Sequence, residues 1–162
     1  MLDYVYHQDQ VVAQFVAQLI PSFHGRGFGQ NVKALGIIDA DQGHLIAGLV
    51  YHNYDPVAGV IEMSGAAIPG KQWLSRETIR RMYVYPFRDC GCQMVTMRVA
   101  ADDDRLLRQL AALNYSFIKV PRILGRNSDG VLCLLTYEDW VDNKFNRRFK
   151  HYLDRPQLEE AA

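Results

Sequence analysis

Residues Val57–Gly91 read VAGVIEMSGAAIPGKQWLSRETIRRMYVYPFRDCG, and this stretch decides the fold. Val57 to Ile68 is an apolar run of strand length that carries one carboxylate, Glu62. A tight loop follows. Ser75 then stands where a helix N-cap belongs, and Glu77 falls in the first turn, where the helix dipole favours it. Ile79, Met82, Tyr83, Phe87 and Cys90 recur at helical spacing and define one apolar face. Strand, loop and helix in this order aim the first N–H groups of the helix at whatever lies above the loop, which suits a phosphate. Pro86 conflicts with a continuous helix, because it removes a hydrogen bond at a cost of about 3 kcal/mol. A kink or an early end is expected there, with Gly91 as the final stop.

Upstream, Met1–Tyr6 alternates as a short strand, and His7–Ile20 places Val11, Val12, Phe15, Val16, Leu19 and Ile20 at helical spacing before Pro21. PSFHGRGFGQN, Pro21 to Asn31, is glycine-rich and reads as a loop. Val32–Ala40 and His44–Tyr54 are strands joined at Asp41-Gln42-Gly43, and with Val57–Ile68 they form an antiparallel meander. Downstream, Gln93–Ala100 alternates as a strand. Asp102–Leu113 is a short helix with Leu106, Leu107, Leu110 and Leu113 inward, closed by Asn114 in the left-handed conformation. Tyr115–Leu124 and Val131–Tyr137 are strands across a polar Gly125–Gly130 loop. Glu138–Leu153 reads as a terminal helix with Lys144, Arg147, Arg148 and Lys150 on a basic face. The order β-α-β-β-β-α-β-α-β-β-α describes an α+β domain: a mixed, mostly antiparallel sheet flanked by helices, with a ligand crevice expected where the sheet changes direction.

The 162 residues fit a single domain, with a core over about 1–138 and a terminal helix over about 138–153. Lys plus Arg equals Asp plus Glu at 18 each, so no overall field favours nucleic acid or a membrane. Cys90, Cys92 and Cys133 form neither a disulfide framework nor a zinc site and read as reduced structural thiols. His7, His24, His44, His52 and His151 are scattered without metal spacing, and no metal is expected. The first residues lack the basic and apolar regions of a signal peptide, and no apolar run is long enough to span a bilayer; a cytoplasmic protein is the expectation.

The element order and three motifs resemble the GCN5-related N-acetyltransferase superfamily over roughly residues 1 to 138. VIEMSGAAI looks like the fourth-strand pattern of its histone-type members. QWLSRE, Gln72 to Glu77, lies where the family's Q/R-x-x-G-x-G/A pyrophosphate loop should lie. LAALNYSF, Leu110 to Phe117, resembles the family's L-x-x-x-L-G-F. The Tyr-Pro-Phe helix and the W-L-S-R loop look like a phage or prophage branch. Several positions depart from the pattern. Ser75 and Glu77 replace the loop glycines, and Glu77 adds a like charge near phosphate unless it points away, which Arg76 and Lys71 could offset. Asn114 stands for the glycine of L-G-F, Asp103 for an asparagine at the start of the helix that precedes it, and Leu110 falls near the tyrosine that many members use as general acid.

The resemblance implies an enzyme that transfers acetyl from acetyl-CoA to a primary amine by direct attack in a ternary complex, with no metal. A free amine is mostly protonated at neutral pH, so a base within reach must remove a proton. By position that base is Glu62, which shares a strand face with Val60, Ser64 and Ala66. An ion pair with Arg98, or a contact with the acceptor, is the alternative role for this carboxylate. The resemblance further implies that backbone at Ala66 and Ile68 pairs with the pantetheine arm, and that amides of Trp73, Leu74, Ser75, Arg76 and Glu77 hold the pyrophosphate, with Asp103 nearby. The Trp73 ring reads as a packing anchor. The glycine-rich loop would lie over the acceptor, which makes Phe23, His24, Arg26 and Phe28 acceptor-side candidates. A homodimer stays open, as does the acceptor. The alternatives are a non-catalytic CoA-binding or regulatory module, and an interaction protein that kept the fold and lost the cofactor.

Overall fold

The computed structural model describes residues 1–147. Its elements follow the expected order: β1 (Leu2–Val5), α1 (Asp9–Leu19), β2 (Lys33–Asp39), β3 (His44–Asp55), β4 (Val60–Ala67), α2 (Arg76–Val84), β5 (Met94–Ala100), α3 (Asp104–Ala112), β6 (Ser116–Gly125), β7 (Ser128–Thr136) and α4 (Tyr137–Val141). The class is mixed α+β, with seven strands among the described residues. The chain falls into two compact units, one made of Met1–Asp55 with Ile61–Met82, the other of Pro56–Val60 with the chain from Tyr83 onward.

In the first unit the strands lie in the order β1-β2-β3-β4. β1 pairs antiparallel with β2, Tyr4 opposite Ile37, and β2 pairs antiparallel with β3, Leu35 opposite Leu49. Alternation gives this sheet two apolar faces. On one, Val12, Ala13 and Val16 of α1 pack on Val32, Ala34 and Val50, with Ala66 at the margin. On the other, Ile37, Ile46 and Ala47 are covered in part by Tyr4, Ala67 and Trp73. Gly48 lets α1 approach closely: a Cβ there would lie 2.7 Å from Val16 Cγ2 and 2.8 Å from Val12 Cγ1.

In the second unit the order is β5-β7-β6, antiparallel throughout, with Val95 opposite Leu135 and Phe117 opposite Cys133. Its core gathers around Tyr83, whose hydroxyl lies 2.8 Å from that of Tyr115 and whose ring lies 4.3 Å from that of Trp140. Burial pushes the Tyr83 phenol well above its ordinary range, the Tyr115 hydrogen bond pulling weakly the other way.

Four expectations change in detail. β4 begins at Val60, because Pro56 to Gly59 form the turn after β3, with Gly59 at φ +67°. The early end expected near Pro86 comes at Val84, where the α-helical geometry of α2 stops. The helix widens to π geometry over Tyr85–Asp89, with Cys90 N–H reaching Tyr85 C=O at 2.9 Å, a wider turn in which the missing proline N–H matters less. The Gly125–Gly130 loop shrinks to a two-residue turn, Arg126-Asn127, since Gly125 pairs with Ser128 and Asp129 accepts from the Arg122 amide. The terminal helix ends at Val141 rather than running on. Asn143 is extended, and its side chain accepts from Phe145 N–H, offering the backbone an alternative to the helix. Arg148, Lys150, His151 and Leu153 lie outside the described residues.

Candidate active site

Glu62 sits on β4 and is mostly buried. Its Oε2 accepts a hydrogen bond from Asn53 Nδ2 at 2.8 Å and lies 4.0 Å from His52 Nδ1. The far side of the same imidazole, Nε2, meets Ser64 Oγ at 2.9 Å. Glu62 and Ser64 therefore do share a strand face, and His52 bridges them. The imidazole is 5% exposed. Two rings close over it: Phe23 edge-on with centroids 5.8 Å apart, and Phe28 tilted at 4.9 Å. Phe23 and Phe28 stack on each other at 4.0 Å. The pair chosen from the glycine-rich loop thus lands beside the partner of the strand carboxylate.

His24 and Arg26 sit differently. Both are exposed. His24 Nε2 lies 2.6 Å from Gln18 C=O, and Arg26 donates from Nε to Ser22 C=O at 3.1 Å with its guanidinium 4.9 Å from the Phe23 ring centre. They line a groove of about 520 Å³ between α1 and the segment from Phe23 to Gln30. Gly25, Gly27 and Gly29 all hold positive φ, and a Cβ on any of them would meet nothing, so it is backbone shape rather than space that requires glycine.

At the other candidate region, Ser75 caps α2 as expected, its Oγ accepting from Thr78 N–H at 3.0 Å. The cap is braced by Thr78 Oγ1, which donates to Trp73 C=O at 2.8 Å and lies 2.9 Å from the Tyr4 hydroxyl. Glu77 bends back along its own helix, pairing with Arg80 and accepting from Arg81 Nε at 2.7 Å. Its charge is thereby balanced within α2. Lys71 is held by Asp39 at 3.5 Å. Burial pushes the Asp39 carboxyl up, but the Asp41 amide and Lys71 outweigh this and hold it below the usual value. Arg76 is left as the exposed cation at the helix start.

Two backbone expectations shift. Ile68 N–H bonds to Ile46 C=O on β3 at 2.8 Å. Alternation then turns the amides of Ala66 and Ile68 toward β3, and that of Ala67 away from it. Ser75 N–H bonds to Trp73 C=O at 3.1 Å, which leaves Arg76 and Glu77 as the first-turn amides that no intrahelical carbonyl can reach. Trp73 packs its ring on the Ile37–Ile46 cluster as an anchor. Leu74 is half-buried before the helix start. In the second unit, Asp103 caps α3, accepting from Leu106 N–H at 3.0 Å, and Leu110 is buried.

Sequence reasoning missed His52 and Asn53. A signal existed: counting back from the turn at Asp55-Pro56 sets both across from the Glu62–Ser64 stretch.

No protein-family model and no curated protein sequence matches the chain. Solved structures do. A chimera built from the Vibrio cholerae spermidine N-acetyltransferase superposes with a TM-score of 0.68 at 13% identity, covering 88% of this chain and 99% of that one. A second such chimera gives 0.66 at 14%, covering 87% and 99%. A structure described as a probable acetyltransferase gives 0.58 at 20%, covering 68% and 63%. The fold is that of the GCN5-related N-acetyltransferases. At these identities the likeness is one of fold.

Proposed function

We propose that the chain is an N-acetyltransferase that uses acetyl-CoA and a primary amine, with Glu62 as the base. The observation that carries this is the Asn53–Glu62–His52–Ser64 cluster under Phe23 and Phe28. A carboxylate next to a buried imidazole that two rings cover can accept a proton from an ammonium group brought within hydrogen-bond reach. Asn53 and His52 both lie against Oε2 of this carboxylate. Bound acetyl-CoA supplies the acetyl group as a thioester, open to attack by a neutral amine.

The start of α2 fits a pyrophosphate. Its first-turn amides at Arg76 and Glu77 carry the positive end of the helix dipole, Arg76 adds a cation, and the Glu77 carboxylate is neutralised by Arg80 and Arg81. The serine cap substitutes for loop glycine by taking up only the Thr78 amide.

A thermal melt with acetyl-CoA and with CoA tests the cofactor. At 100 times the dissociation constant a ligand adds about 2.7 kcal/mol, a shift of several degrees. Acetyl transfer to an amine panel then tests the activity. One observation favours a second reading, a CoA-binding module without catalysis: buried Leu110 falls near the position of the tyrosine that many members of the superfamily use as general acid. A melting shift without transfer to any amine would select it. No shift with either ligand would remove both readings and leave the interaction-protein alternative.

A further inference from the structure

Among the described residues, no carboxylate lines the groove between α1 and the glycine-rich loop. Its α1 wall is a ladder of Gln10, Gln14 and Gln18 over a floor of Ala13 and Ala17, and Arg26 is the one lysine or arginine among the described lining residues. Gln10 is engaged, its amide nitrogen donating to Gln30 C=O at 3.1 Å, which closes one end. Among the described residues no hydrogen bond ties the carboxamides of Gln14 and Gln18. Arg26 uses Nε on Ser22 C=O, which leaves the two terminal nitrogens of its fork. The far wall is the Phe23–Phe28 stack, whose rings also cover His52. The Phe23–Phe28 pair therefore borders both the groove and the imidazole that lies 4.0 Å from Glu62.

On the function proposed above, which this inference deepens, we infer that the acceptor is peptidic: an amine followed by amide carbonyls and at least one carboxylate. The amine end reaches Glu62 and the body lies in the groove. The physical reason is complementarity. Gln14 and Gln18 offer both donors and acceptors, the arrangement that peptide groups need. They stand four residues apart on α1, about 6 Å by the helical rise, close to the two-residue repeat of an extended chain. Arg26 matches a carboxylate by its planar fork. A polyamine fits poorly, because its further ammonium groups would lose water beside Arg26 with no carboxylate in the wall to compensate. The acceptor class thereby differs from that named for the spermidine enzymes that share the fold.

The test is isothermal titration of the full chain, with and without CoA, using the tetrapeptide Ala-Glu-Ala-Ala with a free N-terminus and, separately, spermidine. Wild type is expected to bind the peptide more tightly than spermidine. Arg26→Glu should weaken the peptide at least tenfold and strengthen spermidine, and Gln14→Leu should weaken the peptide several-fold. Both side chains are exposed, and circular dichroism checks that the variants fold. Preference for spermidine, no binding of the peptide, or an affinity that Arg26→Glu leaves unchanged overturns the inference. Acetyl-CoA melting on the same samples separates the two claims. A shift without peptide binding rejects the peptidic acceptor and leaves acetyl transfer standing. Peptide binding that depends on Arg26 without a shift supports the groove and rejects acetyl transfer.

Discussion

His52 Nδ1 lies 4.0 Å from Glu62 Oε2, and the next residue, Asn53, donates to that same oxygen at 2.8 Å. Consecutive strand residues ordinarily point to opposite faces. Both reach one carboxylate because Asn53 holds φ +49° inside β3, a left-handed residue that breaks the alternation as a bulge does. The strain is local, falls on a residue type that tolerates it, and sits at the candidate site.

Glu62→Gln keeps an acceptor for Asn53 and removes the base. Turnover should fall by about 10²–10⁴, the range of a general base, with the dissociation constant for acetyl-CoA unchanged. Steady-state kinetics and a binding titration separate the two effects. A variant that turns over at the wild-type rate takes Glu62 out of the chemistry.

Asn53 can be probed through its backbone. Asn53→Gly keeps the left-handed conformation and loses only the hydrogen bond to Glu62. Asn53→Val must adopt a conformation that β-branched residues avoid, at roughly 1–3 kcal/mol. The valine variant should melt clearly below the glycine variant. Equal melting temperatures would show that the bulge carries no strain.

Gly48→Ala tests the seating of α1. The added methyl meets Val12 and Val16 at less than 3 Å, and both are fully buried. Overpacking of this kind costs about 1–3 kcal/mol. Urea denaturation should show a lower midpoint with an unchanged slope. An unchanged midpoint would mean that α1 shifts freely on the sheet.

The thiols should react in a fixed order. Burial pushes Cys92 up to about 11, with Cys90 adding to the effect, and burial alone pushes Cys133 up to about 11. Both stay protonated at pH 8, and the thiolate is the nucleophile. Iodoacetamide at that pH should label half-buried Cys90 first and the other two only on unfolding, as mass spectrometry of peptides would report. Labelling of Cys133 at the rate of Cys90 would contradict its burial.

Much of the fold was legible because each element carries its own local signal. The apolar spacing of α1, the Ser75 cap, the left-handed Asn114 after α3 and the strand alternation all depend on neighbours in sequence, and all appear in the structure. Where competing local forces were close, the boundaries moved. The π turn at Pro86 accompanies the burial of Pro86 and Phe87, and the short turn at Arg126-Asn127 follows from the Gly125–Ser128 pairing and the Arg122–Asp129 hydrogen bond.

The candidate site divides in the same way. The sequence by itself determined that a carboxylate stands on a central strand, that a capped helix follows it, and that a glycine-rich segment rich in aromatic and basic residues lies upstream, since these are facts of residue order and local conformation. Only the tertiary structure decided that Phe23 and Phe28 close over His52, that His52 and Asn53 converge on one oxygen of Glu62, and that Glu77 turns back onto Arg80 and Arg81. Those outcomes rest on contacts between residues distant in the chain and on one left-handed residue in a strand, and neither follows from the spacing of residue types.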